Sequence, residues 1–325
     1  MKKQDLDTYS GTMKFSTFVV AVFAALLFAS CDRRNGMQPR SGGRPFEVTV
    51  VGDVDSLVFK AMSVDVDGLP QSEPMFDVSE ASVSPQNVFD GVLRYARALV
   101  IVDIDPKKHD GVSLAARHDV YATPQIILTL CAPSVSALRE EVGNDFLGGF
   151  SGKIIDRLYY QEMRTAIADI RRKHNPKMEA EVRRMFGFDM LIPHGMTSCK
   201  RGKNFIWISN NSPTAMLNIC VYSHDFSRRD SVMRLNIKGE TDSMYMATVR
   251  DACSATYSCK YTFAEHYWRG LWEMKGDAMG GPLVARTIWG LNPHTPITVE
   301  GFVYAPGQRK RNLVMLLDAV LHTVK

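Results

Sequence analysis

An uncharged apolar run, Phe15 to Ser30 (FSTFVVAVFAALLFAS), ends against Cys31 and takes the first thirty residues out of any folded core. It falls short of the roughly 20 residues that a transmembrane helix needs and suits the core of a signal peptide. Lys14 supplies the positive flank, and Met13-Lys14 offers a second start beside Met1. Phe28-Ala29-Ser30-Cys31 puts small residues just before a cysteine, the pattern a lipoprotein signal peptidase reads, although Leu is commoner than Phe at the first position. The expectation is that residues 1–30 are removed and that Cys31 carries fatty acyl chains such as palmitate. More than one chain anchors a protein stably. The alternative is an ordinary secretory peptide with a chance cysteine. Residues 32–45 are rich in Gly, Arg and Pro. As a flexible tether they would span roughly 20 Å, so the folded part is expected to begin near Phe46.

Of the net charge of +4, residues 1–30 carry +1, leaving +3 over the remainder. That is too dilute to imply a nucleic-acid partner. The apolar runs after residue 45 are strand-sized and bounded by turn residues. They cover 46–51, 75–83, 98–104, 125–132, 188–192, 205–209, 215–223, 261–274, 282–288 and 297–305. Helices are expected over 134–142, 151–174, 176–186 and 308–322. In the second of these, Ile155, Leu158, Tyr159, Met163, Ala166, Ile167 and Ile170 form one apolar stripe. Many strands and few helices, without strict alternation, predict an α+β fold of mostly antiparallel sheet with flanking helices. The expected organisation is an N-terminal α+β half (46–150), a helical connector (151–186) and a C-terminal α+β half (187–325). Each half has a strand ending in Ala-Pro before a helix, at Ala132-Pro133 and Ala305-Pro306, and Glu73-Pro74-Met75-Phe76 echoes Gly281-Pro282-Leu283-Val284. These echoes raise the reading of two related halves joined by a long central helix.

Several C-terminal strings stand together: Arg269-Gly270-Leu271-Trp272-Glu273, Met279-Gly280-Gly281-Pro282, and Glu300-Gly301-Phe302-Val303-Tyr304-Ala305-Pro306 with Lys310-Arg311. With the upstream strings Leu69 to Phe76 and Tyr121 to Gln125, they resemble an uncharacterised envelope lipoprotein family of the Bacteroidetes, domain-of-unknown-function family 4837. The resemblance implies an envelope lipoprotein with no assigned activity. Lipoproteins of that group bound for the cell surface often carry acidic residues after the cysteine. Here Asp32 is followed by Arg33 and Arg34, which favours the periplasmic side.

Candidate chemistry is sparse. Apart from Cys31 the cysteines number five, an odd count for an oxidising compartment. Cys253 and Cys259 are close enough to bridge a loop, and Cys199 with Cys220 could join neighbouring strands. Cys131 and Cys220 lie in apolar runs and read as buried small hydrophobes. No histidine pair sits at i, i+4, so no zinc-protease pattern arises. Asp65-Val66-Asp67-Gly68 lacks the third ligand and the distal glutamate of a calcium loop. In Asp103-Ile104-Asp105 the carboxylates share one face at a strand end, and no metal or cofactor is expected. Strand alternation puts Glu300, Phe302 and Tyr304 on one face, and Trp268, Gly270, Trp272 and Met274 on another, as core-packing sets. Gly280, Gly281 and Gly301 read as turn or close-approach positions.

The oddity is the last helix, which opens with Arg309-Lys310-Arg311. Cations there oppose the helix dipole at a cost of about a few tenths of a kcal/mol each. An internal acid such as Glu273, Asp277 or Glu300, solvent screening, or a bound anion on the helix N–H groups would offset it. No nucleophile elbow or phosphate loop is present. The expected role is therefore a lipid-anchored, non-catalytic binding or assembly factor, with an envelope protein or an anionic lipid or glycan as partner. The alternative is an envelope enzyme acting on glycan or lipid through Glu273, Glu300 and the Arg309–Arg311 cluster.

Overall fold

The computed structural model describes residues 38–143, 149–223, 229–241, 243–251, 267–289 and 295–325. Residues 1–40 and 41–325 form two separate units. The twelve strands and six α-helices found among the described residues lie in the second, which is a mixed α+β fold. The expected signal segment, Cys31 and the Cys253–Cys259 pair lie outside the described residues.

The first sheet has five strands in the order β2-β1-β3-β5-β4. These are β1 (Glu47–Val51), β2 (Asp77–Ala81), β3 (Ala98–Ile104), β4 (Ser113–His118) and β5 (Ile126–Ala132). The β1–β2, β1–β3 and β3–β5 pairs are parallel, and β4 closes the edge antiparallel to β5. Parallel strands covered on both faces read as unbroken aliphatic runs, and β3 (ALVIVDI) and β5 (IILTLCA) do so. Helix α1 (Leu57–Ala61) follows β1, and α2 (Val135–Gly143) follows β5. Ser134 caps the latter, its Oγ accepting from Ala137 N at 3.2 Å.

Helix α3 (Phe150–Arg172) buries the expected stripe, with Ile155, Leu158, Tyr159, Met163 and Ile170 inside. Helix α4 (Pro176–Phe186) starts on an Asn175 cap, whose side chain accepts from Met178 N, and stops at left-handed Gly187. The expected strand over 188–192 is irregular backbone instead. Phe188, Met190 and Ile192 are buried, but among the described residues no strand pairs with this segment. Leu191 N donates to Thr323 Oγ1 and Ile192 N to Glu179 Oε1, so side chains satisfy the backbone in place of a ladder.

The second sheet runs β6-β7-β8-β12-β11-β10-β9, antiparallel throughout. Its strands are β6 (Ser198–Gly202), β7 (Phe205–Ser209), β8 (Met216–Ser223), β9 (Tyr245–Asp251), β10 (Tyr267–Lys275), β11 (Gly280–Trp289) and β12 (Pro296–Tyr304). Helix α6 (Arg311–Leu321) lies against β12 and β11. Gly301 permits this approach, because a Cβ there would stand 2.8 Å from Leu317 Cβ. Pro282 sits on β11 just before the β12 pairing begins at Leu283–Phe302, so its missing N–H breaks no bond in that ladder. The opposite face buries Trp272, Phe302, Tyr222 and Met274 with Met233 from α5 (Arg229–Asn236).

One hydrophobic cluster runs from Phe46 and Val48 through Ile154 and Leu158 to Val303 and Leu317, so both halves share a core. The strand–Ala-Pro–helix echo is real at Ala132-Pro133 and Ala305-Pro306. It does not extend to the wiring, since one sheet is mostly parallel and the other wholly antiparallel.

Candidate functional site

The basic start of α6 meets residues 71–77, between β1 and β2 of the first sheet. Lys310 is the N-cap of α6 and Arg311 its first residue. A helix start leaves backbone N–H groups without intrahelical partners. Two of these point at Glu73: Lys310 N donates to Oε1 at 2.7 Å and Arg311 N to Oε2 at 3.0 Å. The helix start therefore binds an anion, and the anion is an internal carboxylate, 7% exposed. Arg311, 2% exposed, donates to Asp77 Oδ2 at 2.6 Å and to Pro74 O at 2.9 Å, and its guanidinium lies 5.7 Å from the Phe46 ring centroid. Arg309 reaches Asp77 Oδ1 at 3.0 Å. The hydrogen bond from Arg311 leads the effects that hold the Asp77 carboxyl below its usual range, against its partial burial.

The acids that offset the cationic helix start are thus Glu73 and Asp77, not Glu273, Asp277 or Glu300. Sequence inspection missed them because they lie more than 230 positions upstream. The signal that was available is their place in the Glu73-Pro74-Met75-Phe76-Asp77 string, singled out only for its echo. Lys310 remains half-buried, its Nζ donating to Gln308 O at 2.9 Å. Beside these residues is an open polar groove of about 430 Å³, lined by Gln71, Ser72, Glu73, Gln308, Arg309 and Lys310 among others.

The other expected site residues go elsewhere. Glu300 is fully buried, and its carboxylate accepts from Tyr222 Oη at 2.9 Å and Arg229 Nε at 2.8 Å. Burial pushes the Tyr222 hydroxyl well up and Glu300 adds to it. Burial pulls the Arg229 guanidinium down, but contact with Glu300 outweighs this and raises it. Arg269, on the opposite face, pairs with buried Asp318 of α6, which also accepts from Tyr159 Oη at 3.1 Å. Burial pushes the Asp318 carboxyl up, opposed by that hydroxyl. Glu273 pairs with Lys275 on its own strand. Trp272 donates to Val303 O at 3.2 Å and packs edge-on to Phe302, with Tyr304 beside it. Gly270 pairs with Leu283, and Gly280 with Glu273. Gly281 lies so close to β12 that a Cβ would stand 2.1 Å from Val303 O. The residues of the enzymatic alternative accordingly take separate partners and do not converge on one cleft.

Cys131, Cys199 and Cys220 are free thiols. Cys199 and Cys220 do not join neighbouring strands, because β7 lies between β6 and β8 and the two thiols pack into different clusters. Cys220 is fully buried as expected, and burial pushes its thiol well up. Cys131 is only partly buried and stands beside Asp103 and His109. That trio is the one group among the described residues with the donor types and spacing to hold a metal ion. Of the other histidines, His118 bonds Gln161 and His174 bonds Glu179, each at 3.0 Å.

Among the described residues no helix is long and apolar enough to cross a membrane. No curated protein and no solved structure matches the chain. Residues 41–170 match a family model described as a domain of unknown function (DUF8532), and residues 175–323 match a second, described as a domain of unknown function (DUF4837). The upstream strings at 69–76 and 121–125 fall within the first of these. The resemblance drawn from the C-terminal strings thus holds over the second sheet and the helices beside it: the chain carries a DUF4837 domain.

Proposed function

We propose that the protein is a lipid-anchored component of a bacterial envelope that works by binding or assembly rather than by catalysis. Cys31 would carry the acyl chains, and the folded unit would face the periplasm on its short tether. The observation that carries the non-catalytic reading is the state of Glu300. A general acid or base must reach substrate, whereas this carboxylate is sealed in the core and committed to Arg229 and Tyr222. Arg309 and Arg311 are likewise engaged by Glu73 and Asp77. Open for recognition is the polar groove along Gln71-Ser72 and Gln308–Lys310. It would suit an envelope protein, or a lipid or glycan, that offers hydrogen-bonding and anionic groups.

A photo-crosslinking residue at Gln308, followed by mass spectrometry on intact cells, tests this reading. One recurrent adduct is expected from Gln308 and none from exposed Lys177 on α4. Identical adduct patterns at both positions would sink the groove as a recognition surface. Metabolic labelling with an alkynyl fatty acid tests the anchor. The label should be present on the native chain and lost in Cys31→Ser.

A further inference from the structure

We propose that Asp103, His109 and Cys131 form a binding site for a divalent transition-metal ion of the zinc type. The inference is independent of the binding role above and rests on a different part of the molecule. Parallel pairing sets Asp103 directly against Cys131 near the carboxyl ends of β3 and β5. The turn after β3 then brings His109 back over them. That turn is pinned by Asp105, whose Oδ1 accepts from Lys107 N at 2.9 Å and whose carbonyl accepts from His109 N at 3.1 Å. His109 Nε2 lies 3.0 Å from Asp103 Oδ2, and one donor atom from each of the three residues lies within 4.8 Å of the others.

The donor set selects the ion. Thiolate, imidazole and carboxylate together suit Zn²⁺ and its neighbours, whereas Mg²⁺ and Ca²⁺ take oxygen shells. Tetrahedral Zn²⁺ with bonds of about 2.0–2.3 Å needs donors roughly 3.3–3.8 Å apart. Small side-chain rotations reach that from the present separations. The ion would replace the His109–Asp103 hydrogen bond and neutralise the thiolate that it requires. Three protein donors leave a position for a fourth. A groove of about 160 Å³ adjoins the trio, lined by Phe89, Ile101, Asp103, Lys108, Arg117 and Thr129. Its two cations would favour water or a small anionic group as that fourth donor. The carboxyl ends of parallel strands are also where open sheets hold their ligands.

The test uses the purified full-length protein, stripped with chelator, kept reduced and titrated with Zn²⁺, then with Co²⁺ as a coloured substitute. One equivalent of Zn²⁺ should bind, and the Co²⁺ form should show a thiolate-to-cobalt charge-transfer band. Cys131→Ser should abolish that band. Cys131→Ser and His109→Ala should each weaken Zn²⁺ binding by more than the roughly 10–100-fold typical of outer-shell changes. Cys199→Ser should leave it intact. Metal-free thermal unfolding of each variant identifies any that fails to fold, in which case Asp103→Asn decides. Absence of binding, or equal binding by wild type and the three ligand variants, overturns the proposal.

Discussion

In the five-stranded sheet the ionisable side chains stand at strand ends and edges, with Asp103 near the close of β3 and Arg117 and His118 on the exposed edge β4. The seven-stranded sheet instead carries charge in mid-strand, with Arg269 on one face at 1% exposure and Glu300 on the other at 0%. The contrast follows from the wiring. A short parallel sheet covered on both faces fills its interior with Val, Ile and Leu, which leaves polar groups only at its ends. The larger antiparallel sheet is crossed by α6 and α5, and each helix brings a charged side chain that the sheet must answer: Asp318 for Arg269, and Arg229 for Glu300. Charge in the second sheet is therefore architecture, and uncommitted chemistry collects at the ends of the first.

Unpairing a charge in the second sheet should hurt most. Arg269→Met strands Asp318 in the core and should cost about 3–5 kcal/mol in denaturant unfolding, with Asp318→Leu added to the same chain restoring much of it. A single-variant cost below about 1 kcal/mol would break the comparison at its strongest point. Glu300→Gln should cost about 2–3 kcal/mol, less because Arg229 keeps Asp230 and Thr248 as partners.

The third expectation concerns pH. His322 stacks on Tyr267 at the end of α6, and burial together with Arg286 and Arg269 pulls it from 6.5 to about 4. A base depressed in the fold is protonated first in the unfolded chain. Its stabilising contribution is thus complete above about 6.5 and is drawn down as pH falls towards 4, by at most about 3 kcal/mol. Buried Asp318, pushed up to about 7 and 3.7 Å from His322, works in the opposite sense, so the check is a difference: as pH falls across that window the wild type should lose denaturation midpoint relative to His322→Gln.

Glu73→Gln keeps an acceptor for one helix N–H but loses the charge facing Arg309 and Arg311. It should lower stability by about 1 kcal/mol. Asp103→Asn, measured without metal, should cost the least, under about 1 kcal/mol, since its partner is a partly exposed histidine. Should Asp103→Asn prove as costly as Arg269→Met, the division between the two sheets would not stand.

Legibility from sequence follows the same division. The strand over 98–104 was readable to the residue because its apolar run has no competing period. The one over 205–209 is bounded by polar turns and was equally clear. Edge strands were not: β4 (SLAARH) and β6 (SCKRG) are mostly exposed and hold their places through pairing alone. Helix α5 (RDSVMRLN) buries only Met233 and so shows no stripe. The oddity at Arg309–Arg311 was visible, but its answer came from residues far away in the chain. Asp103, His109 and Cys131 share no short spacing, and only the parallel register brings the first and last together.

The clasp of Glu73 on Lys310 and Arg311 also sets an order of events during biosynthesis. Its two ends are 237 positions apart. While the chain is being made, Glu73 and Asp77 must wait for nearly everything else to emerge. A nascent chain held before residue 310 keeps two unquenched carboxylates, and the face of β12 and β11 that α6 later covers stays bare. Commitment to the final fold should come late and all at once, and a premature stop just before the last helix should mark the product for proteolysis, although both sheets have already been synthesised.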